Sequence, residues 1–268
     1  MNNAISIDLE PWMCFFDRVP LRKELDGGAL VKAARRLLNL FQTCGARATF
    51  FTLGILYEWY PSLLEDIRAR GHEIAFHTHS HRELRRPGLL EPEIESSAKF
   101  ISEYAITGFR APKMMINPDD LMVLERHNFS YDSSIYAPWA AVATPGKLKE
   151  IPVSTFPPKE VEVSFPRTLT TSLKRLEMPI GSGLCVGMFS GKIIDYCIRK
   201  INGRGQPAVL FMHPWQLAQS GRLGFCRGES LTAEFMRLPY RAKIQESKLR
   251  YILERHRFVT MRELSEES

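Results

Sequence analysis

The sequence of 268 residues is long enough for one large domain or two small ones, and it can bury a full hydrophobic core without disulfides. Hydrophobic residues make up 44% and charged residues 25% of it, which is typical of a globular protein. The net charge of +6 favours anionic ligands, but the basic clusters are not interleaved with aromatic residues. We therefore predict no nucleic-acid partner.

Five scattered cysteines, an odd number without a CxxC pair, argue against a disulfide framework and against a cysteine-rich zinc site. The first residues, MNNAISIDLE, lack the basic and apolar regions of a signal peptide. No apolar run approaches the roughly 20 residues that span a bilayer. We expect a cytoplasmic protein without a transmembrane segment, and contact with a membrane surface stays open.

The predicted elements alternate between strands and helices. In chain order they are strand 4–9, helix 30–43, strand 48–53, helix 61–70, strand 73–76, helix 91–103, strand 108–110, helix 118–127, strand 131–133, helix 195–200, strand 208–212, helix 242–256 and strand 258–259. Residues 145–190, rich in proline, glycine and β-formers, predict irregular strands and loops. The alternation implies parallel βαβ units, and we expect a single α/β domain over residues 1–268.

Chemically active side chains in such folds lie beyond the carboxyl ends of the strands. The polar residues at these positions are Asp8, Glu10, His77, His79, His81, Arg110, Asp132 and His213. These residue types are chemically suited to form one site.

The segment HTHSH places three histidines at alternate positions after a predicted strand. If the strand continues, His77, His79 and His81 share one face, whereas the start of a helix pairs His77 with His81 alone. Imidazole suits zinc and similar divalent metals. Metal binding and a solvated histidine-rich turn both fit this segment on its own.

The first predicted strand ends in two acids, Asp8 and Glu10, which alternation puts on the same side of the strand. Carboxylates at the end of a buried strand are costly unless they are paired, protonated or bound to metal. One carboxylate with two histidines is typical of a catalytic zinc site, and the second carboxylate is then free to act as a base.

Three further residues have a functional and a structural interpretation. His213, after the run VLFM, suits a general acid or a core histidine with satisfied hydrogen bonds. Arg110 suits a residue that orients a carboxylate base, or a surface salt bridge. Asp132 suits a residue that tunes a histidine, or the cap of a turn or helix.

The order of these motifs resembles the polysaccharide deacetylases, the NodB-homology family, also known as carbohydrate esterase family four. The motifs that carry the resemblance are SIDLE, ATFFTLG, GHEIAFHTHSH, GFRAP, YDSS and LFMHP. It extends from about residue 4 to residue 215. The resemblance implies an α/β fold, a distorted (β/α)7 barrel of the NodB-homology type.

The resemblance also implies roles for these residues. Glu10, His77 and His81 would hold a divalent metal, Zn²⁺ in the first place, with Co²⁺, Ni²⁺ or Mn²⁺ as alternatives. Asp8 would be the base that takes a proton from water, Arg110 would hold Asp8, His213 would protonate the leaving amine, and Asp132 would support His213. The residues expected to contact substrate are Trp12, Pro112, Tyr136 and Trp139, while Trp215 is expected to pack in the core.

Two motifs depart from the common pattern of the family, and the fourth, YDSS, lacks the usual close tryptophan, although Trp139 lies nearby. The first motif usually has adjacent aspartates, the second of which binds metal, and here that place is taken by Leu9. Members with Asp-x-Asp or Asp-x-Glu exist, so Glu10 is expected to substitute.

We therefore expect a hydrolase that removes an N-acetyl, or more generally N-acyl, group from an amino-sugar substrate. The chain resembles the intracellular branch of the family, which implies a nucleotide-linked, lipid-linked or small glycoside precursor. Two alternatives stay open. One is another C–N hydrolase on this fold, such as a deformylase or an allantoinase-like amidase, and the other is an inactive sugar-binding barrel. We expect no nucleotide cofactor, because no glycine-rich phosphate loop follows a strand.

Overall fold

The computed structural model describes residues 1–16, 19–139, 146–158, 168–217 and 242–267. Its strands are β1 (Asn2–Leu9), β2 (Thr49–Thr52), β3 (Glu73–Phe76), β4 (Gly108–Phe109), β5 (Tyr131–Asp132), β6 (Tyr136–Ala137), β7 (Lys149–Glu150), β8 (Val153–Ser154), β9 (Val209–Met212) and β10 (Arg257–Val259). Its α-helices are α1 (Lys23–Asp26), α2 (Ala29–Cys44), α3 (Leu56–Trp59), α4 (Pro61–Ala69), α5 (Leu90–Ser96), α6 (Ala98–Glu103), α7 (Pro118–Arg126), α8 (Leu169–Lys174), α9 (Gly183–Met188), α10 (Gly191–Asn202), α11 (Pro214–Leu217), α12 (Glu246–Leu253) and α13 (Met261–Glu266).

The main sheet is parallel and curls into a half-barrel. Its strands follow the order β10-β1-β2-β3-β4-β5-β7, and β9 also pairs with β1. Strands β6 and β8 form a second, parallel pair. A distorted (β/α) barrel was expected, and this architecture confirms it. Because all the paired strands are parallel, their carboxyl ends meet at one rim.

Strand β1 is the centre of the sheet because it has three partners. Its residues 2–4 pair with β10 and its residues 6–9 pair with β2, so these two strands share one edge of β1. Residues 4–7 pair with β9 on the other edge. Strand β1 is therefore enclosed on both sides, and its carboxyl end lies in the middle of the rim.

Alternation along β1 sends side chains to two different layers. Ile5, Ile7 and Leu9 belong to the large hydrophobic cluster that includes the apolar faces of the helices. Ala4 belongs to a second cluster with Phe51 of β2, inside the half-barrel. Leu9, which stands where the family usually has a metal-binding aspartate, therefore faces the helices rather than the interior.

The longest helix, α2, shows how the outer layer is attached. Its apolar residues recur at helical spacing and are buried, as the sequence predicted. The helix ends at Gly45, whose φ of 64° is the left-handed conformation that a helix terminus favours. The N–H of Gly45 donates to the Gln42 carbonyl.

Several predicted boundaries need correction. The helix predicted over 91–103 is broken at Ser97, which separates α5 from α6. The helix predicted from 242 begins only at Glu246. Helix α13 was not predicted at all. Residues 145–190 contain short strands and the helices α8 and α9 in their described parts.

None of the helices in the described ranges combines the length and the apolar character that a membrane-spanning segment requires.

Candidate active site

The candidate site begins at the end of β1 with the two acids. Asp8 and Glu10 are buried, with exposed fractions of 4% and 3%. Both approach the same imidazole, because Nε2 of His213 lies 3.4 Å from Glu10 Oε1 and 4.0 Å from Asp8 Oδ2. The side chains thus lie on one side of the strand, as alternation predicted.

Arg110, which follows β4, connects Asp8 to the wall of the half-barrel. Its Nη1 donates to Asp8 Oδ1 at 2.6 Å and to Ser6 Oγ at 2.9 Å. Its Nε donates to the Ser133 carbonyl at 2.8 Å and its Nη2 to Ser133 Oγ at 2.9 Å. The contact with Asp8 is the one expected of an arginine that orients a carboxylate.

The interior position of Arg110 rules out a surface salt bridge. Its exposed fraction is 0%, and its guanidinium carbon lies 4.1 Å from the ring centre of Phe51 and 5.1 Å from that of Phe211. A buried cation is tolerated only with a carboxylate partner and filled hydrogen bonds. Aromatic faces on the guanidinium add a favourable electrostatic contact.

The histidine segment after β3 is neither a continued strand nor the start of a helix. Thr78 and His81 adopt left-handed conformations, with φ of 62° and 61°. This is unusual for a β-branched residue such as threonine, and such strain is concentrated at functional sites. The Glu93 carboxylate fixes the loop by accepting from the N–H groups of His79 and Ser80, each at 2.8 Å.

This loop brings His77 and His81 to Glu10. The distances from Glu10 Oε2 are 2.7 Å to Nε2 of His81 and 3.5 Å to Nε2 of His77. His79 points elsewhere, with its Nδ1 at 3.1 Å from Ser97 Oγ. Of the two arrangements left open by the sequence, the structure shows the pairing of His77 with His81.

The position of the hydrogen on the His77 ring follows from the contact of its other nitrogen, Nδ1. Nδ1 lies 2.7 Å from the Arg110 carbonyl oxygen, which can only accept, so Nδ1 carries the hydrogen. In the neutral ring, Nε2 then presents a lone pair to the carboxylate of Glu10. An imidazole nitrogen and an ionised carboxylate oxygen 3.5 Å apart are held together by a shared proton or by a metal ion.

The electrostatic environment of the Glu10 carboxylate suits a metal ligand. Burial opposes its ionisation, but the imidazoles of His81, His213 and His77 outweigh burial and hold the pKa of this carboxyl well below its usual range. Its buried Oε2 has no hydrogen-bond partner in the described part of the chain. An ionised and buried carboxylate oxygen between two imidazole nitrogens fits a divalent metal.

His213 is held by Gln216, a residue that the sequence analysis missed. Oε1 of Gln216 accepts from the His213 N–H at 2.9 Å and lies 3.2 Å from Nδ1. The Gln216 amide nitrogen donates to the Ala242 carbonyl, which fixes the orientation of the amide. Nδ1 of His213 therefore carries a hydrogen, and Nε2 faces the two acids. The spacing of three residues between His213 and Gln216 was the sequence signal that could have identified Gln216.

Asp132 lies elsewhere than expected. It was predicted to support His213, but both of its carboxylate oxygens contact Ser134, and it is paired in register with Glu150 of β7. Burial, followed by the charge of Asp132, raises the pKa of Glu150 well above its usual range. Glu150 is therefore the more readily protonated member of this pair of buried acids. The support for His213 comes from Gln216 instead.

Two of the predicted substrate-contacting residues have aromatic neighbours. Trp12 is half-buried and packs edge to face on Phe16. Tyr136 is buried against Phe211, and burial, followed by the charge of Asp8, raises the pKa of its hydroxyl. Tyr136 thus lies near the Asp8 carboxylate, in a wall rather than on an open surface.

The other predicted contacts divide between the rim and the interior. Pro112 is buried in a 3₁₀ turn, Pro112–Met114, that begins two residues after Arg110. Trp139 is half-buried and packs against the interior cluster. Trp215, expected in the core, is buried and stacks on His213 with ring centres 4.4 Å apart.

A cleft of about 460 Å³ opens beside the site. Its lining includes His81, Cys14, Glu83 and Lys113. The cleft provides a route by which a ligand can reach the carboxylates and imidazoles from solvent.

The sequence matches two family models. Residues 10–131 match the model described as polysaccharide deacetylase, and residues 125–266 match a domain of unknown function, DUF3473. The two matches together extend over almost the whole chain.

Two solved structures illustrate the likeness of the fold. A protein from Mycobacterium smegmatis, assigned as a polysaccharide deacetylase, has a TM-score of 0.59 at 20% identity, covering 99% of this chain and 89% of that one. A pseudoenzyme of carbohydrate esterase family 4 from Bacillus anthracis has a TM-score of 0.50 at 10% identity, covering 98% and 65%. At these identities the likeness concerns the fold.

The fold and the matched models define a hydrolase of the deacetylase class. Residues 10–131 belong to the polysaccharide deacetylase family, the family with NodB homology, as the order of the motifs implied.

Proposed function

We propose that this chain is a metal-dependent deacetylase that removes the N-acetyl group of an amino-sugar substrate. One observation carries the proposal. The ionised, buried Oε2 of Glu10 lies between the imidazoles of His77 and His81, beside an Asp8 that Arg110 holds.

Glu10, His77 and His81 would hold the metal. Two imidazoles and one carboxylate suit Zn²⁺ best, and Co²⁺, Ni²⁺ and Mn²⁺ accept the same donors. When bound, such an ion polarises the acyl carbonyl and makes water a stronger nucleophile near neutral pH. The Arg110 carbonyl supports the set by fixing the ring of His77.

Asp8 is placed to act as the general base. Its Oδ1 accepts from Arg110 at 2.6 Å, which fixes the orientation of the carboxylate. Its Oδ2 is directed toward His213 at 4.0 Å, across a gap that suits a water molecule or a reacting group. Oδ2 can therefore take the proton of the attacking water.

His213 is placed to act as the general acid. Gln216 occupies Nδ1, so Nε2 is the nitrogen that exchanges a proton with the site. When the C–N bond breaks, Nε2 gives its proton to the leaving nitrogen, and the products are acetate and the free amine. The stacked ring of Trp215 keeps the imidazole in this plane.

The substrate class is inferred from the family and from charge. We infer an N-acetylated amino sugar carried on a nucleotide, on a lipid or in a small glycoside. The net charge of +6 supports a phosphate-bearing form of this substrate. We also infer that residues 1–268 form one catalytic domain, because β1 pairs both with β2 and with the late strands β9 and β10.

Acetate release tests the proposal. The purified protein is incubated with N-acetylated amino sugars in free, nucleotide-linked and lipid-linked form, with and without a chelator. We expect acetate release that the chelator abolishes and that added Zn²⁺ or Co²⁺ restores. Release that a chelator leaves unchanged would indicate a metal-independent amidase, and no release with any metal would indicate an inactive barrel.

A further inference from the structure

Cys14 lies at the candidate metal site, and the sequence did not point to it. Its Sγ, a carboxylate oxygen of Glu10 and an imidazole nitrogen of His81 all lie within 4.8 Å of one another. Cys14 belongs to the 3₁₀ turn Trp12–Phe15, and its N–H donates to the Pro11 carbonyl at 3.0 Å. The turn folds the chain back on itself directly after Glu10.

A second observation indicates that these atoms face a cation. Oε2 of Glu10 is buried and has no hydrogen-bond partner among the described residues. The lone pair of His77 Nε2 is directed at the same oxygen at 3.5 Å. The Cys14 thiol, within 4.8 Å of a Glu10 carboxylate oxygen and a His81 nitrogen, adds a third kind of metal donor to this group.

We propose that Cys14 Sγ is a fourth donor to the ion held by Glu10, His77 and His81, an inference that rests on the proposed function. A thiolate is a soft ligand, so the site would select Zn²⁺ or Co²⁺ over Mn²⁺ or Mg²⁺. The thiol proton goes to solvent when the bond between sulfur and metal forms.

A fourth protein donor has a consequence for catalysis. Catalytic zinc sites keep one position open for water or substrate, whereas four protein ligands close a site. Cys14 is half-buried and lines the same cleft as His81. Cys14 would therefore compete with a ligand in the cleft for one position at the ion.

The test measures the metal rather than the activity. Wild type, Cys14→Ser and Cys44→Ser are titrated with Co²⁺, and the charge-transfer absorption between thiolate and Co²⁺ is recorded. Cys44 is the matched control because it is also half-buried but lies at the end of α2. We expect the band in wild type and in Cys44→Ser, its loss in Cys14→Ser, and at least about tenfold weaker Zn²⁺ binding by Cys14→Ser.

A second measurement uses the unmodified protein. The alkylation of each cysteine is followed by peptide mass, with and without Zn²⁺. Zn²⁺ should protect Cys14 and leave Cys44 unchanged. Equal alkylation of Cys14 in both conditions overturns the inference.

The outcomes separate this inference from the proposed function. If wild type binds Co²⁺ without a thiolate band while His77→Ala fails to bind it, the metal site stands and the role of Cys14 is wrong. If wild type binds neither Co²⁺ nor Zn²⁺, both ideas are wrong.

Discussion

Asp8 and Glu10 differ by two residues in sequence and have different environments. Asp8 is bonded to the guanidinium of Arg110, whereas Glu10 lies among imidazoles. A carboxylate held by hydrogen bonds from a rigid arginine keeps its direction and is suited to proton transfer. A buried carboxylate that faces imidazole nitrogens is suited to a metal. The environment, more than the residue type, divides the two roles.

Asp8→Asn tests this division. The amide keeps the shape of the side chain but cannot take a proton, so we expect deacetylation to fall about 10²- to 10⁴-fold. Metal content should stay at the wild-type level, because Asp8 is not in the donor set. Acetate release and metal analysis are measured on the same preparation, with the exposed Asp119→Asn as control. Full activity in Asp8→Asn would contradict the assigned base.

His72 makes a separate, pH-dependent contribution to stability. Burial, followed by the charge of Arg70, lowers the pKa of His72 to about 4, while its Nδ1 accepts from the Ala48 N–H. The unfolded chain takes up the proton near pH 6.5, and the folded chain does so only near pH 4. Stability from this group is therefore present above about pH 6.5 and is lost as pH falls toward 4.

The size of this effect is measurable by urea unfolding. From the two pKa values, wild type should lose about 2 kcal/mol of unfolding free energy through His72 between about pH 7.5 and about pH 5. His72→Gln keeps an acceptor for Ala48 and does not titrate, so its loss over this range should be smaller by about that amount. Parallel pH profiles of the two proteins would contradict the account.

The positions of some functional side chains can be predicted from the sequence, and those of others cannot. The common side of Asp8 and Glu10 follows from strand alternation, which is a local rule. The pairing of His77 with His81 depends on two left-handed residues, and no propensity favours this conformation for Thr78. The partner of Asp132 could not be predicted either, because it depends on the register between β5 and β7.

At the level of elements, helix α7 owes its sharp beginning to a cap. The side chain of Asn117 accepts from the Asp120 N–H, and the Asp120 carboxylate accepts from the Asn117 N–H. Pro118 follows at the first helical position, where its missing N–H costs nothing. This capping box lies in the sequence segment NPDD, and the predicted helix start at residue 118 was correct.

Asn117→Ala should therefore cost about 1 kcal/mol of unfolding free energy, because the N–H of Asp120 loses its acceptor. Met122→Ala is the control, since Met122 lies on the same helix and is exposed. Its effect should stay within about 0.5 kcal/mol. Equal effects of the two substitutions in urea unfolding would contradict the importance of the cap.

Other element boundaries depend on tertiary contacts. Ser97 interrupts the helix predicted over 91–103, and its hydroxyl contacts His79 of the histidine loop. Helix α13 is short, with an exposed end, so its hydrophobic periodicity is too brief to predict it. The break at Ser97 and the formation of α13 both depend on tertiary packing, which cannot be read from a single sequence.

At the scale of the whole molecule, the C-terminal segment closes the half-barrel. Strand β10 pairs with β1, and Met261 and Leu264 of α13 enter the interior cluster. The Met261 N–H donates to Thr49 Oγ1 at 2.8 Å, and the Arg262 N–H donates to Glu73 at 3.0 Å. The last residues thus cover the end of the interior opposite the active-site rim.

Leu264→Ala should cost about 2–5 kcal/mol of unfolding free energy, because it leaves a cavity in the interior cluster. Glu266→Ala, at the exposed end of the same helix, should have little effect. Metal content of folded Leu264→Ala should equal that of wild type, since the donors lie at the other end of the strands. A loss of metal at unchanged stability would contradict this separation.

The parallel half-barrel was predictable as a whole because alternating strands and helices leave few topologies. The pairing of β10 with β1 was not predictable, because it joins residues more than 200 positions apart and depends on packing.

The central claim is that Glu10, His77 and His81 hold a metal ion, and metal stoichiometry tests it most directly. Wild type, His77→Ala and the control His127→Ala are dialysed against Zn²⁺, washed and analysed for metal. His127 is a suitable control because it pairs with Glu91 on the surface. The account predicts about one tightly bound ion in wild type and in His127→Ala, and none in His77→Ala. A metal-free wild type, or a His77→Ala that keeps its ion, would contradict the account.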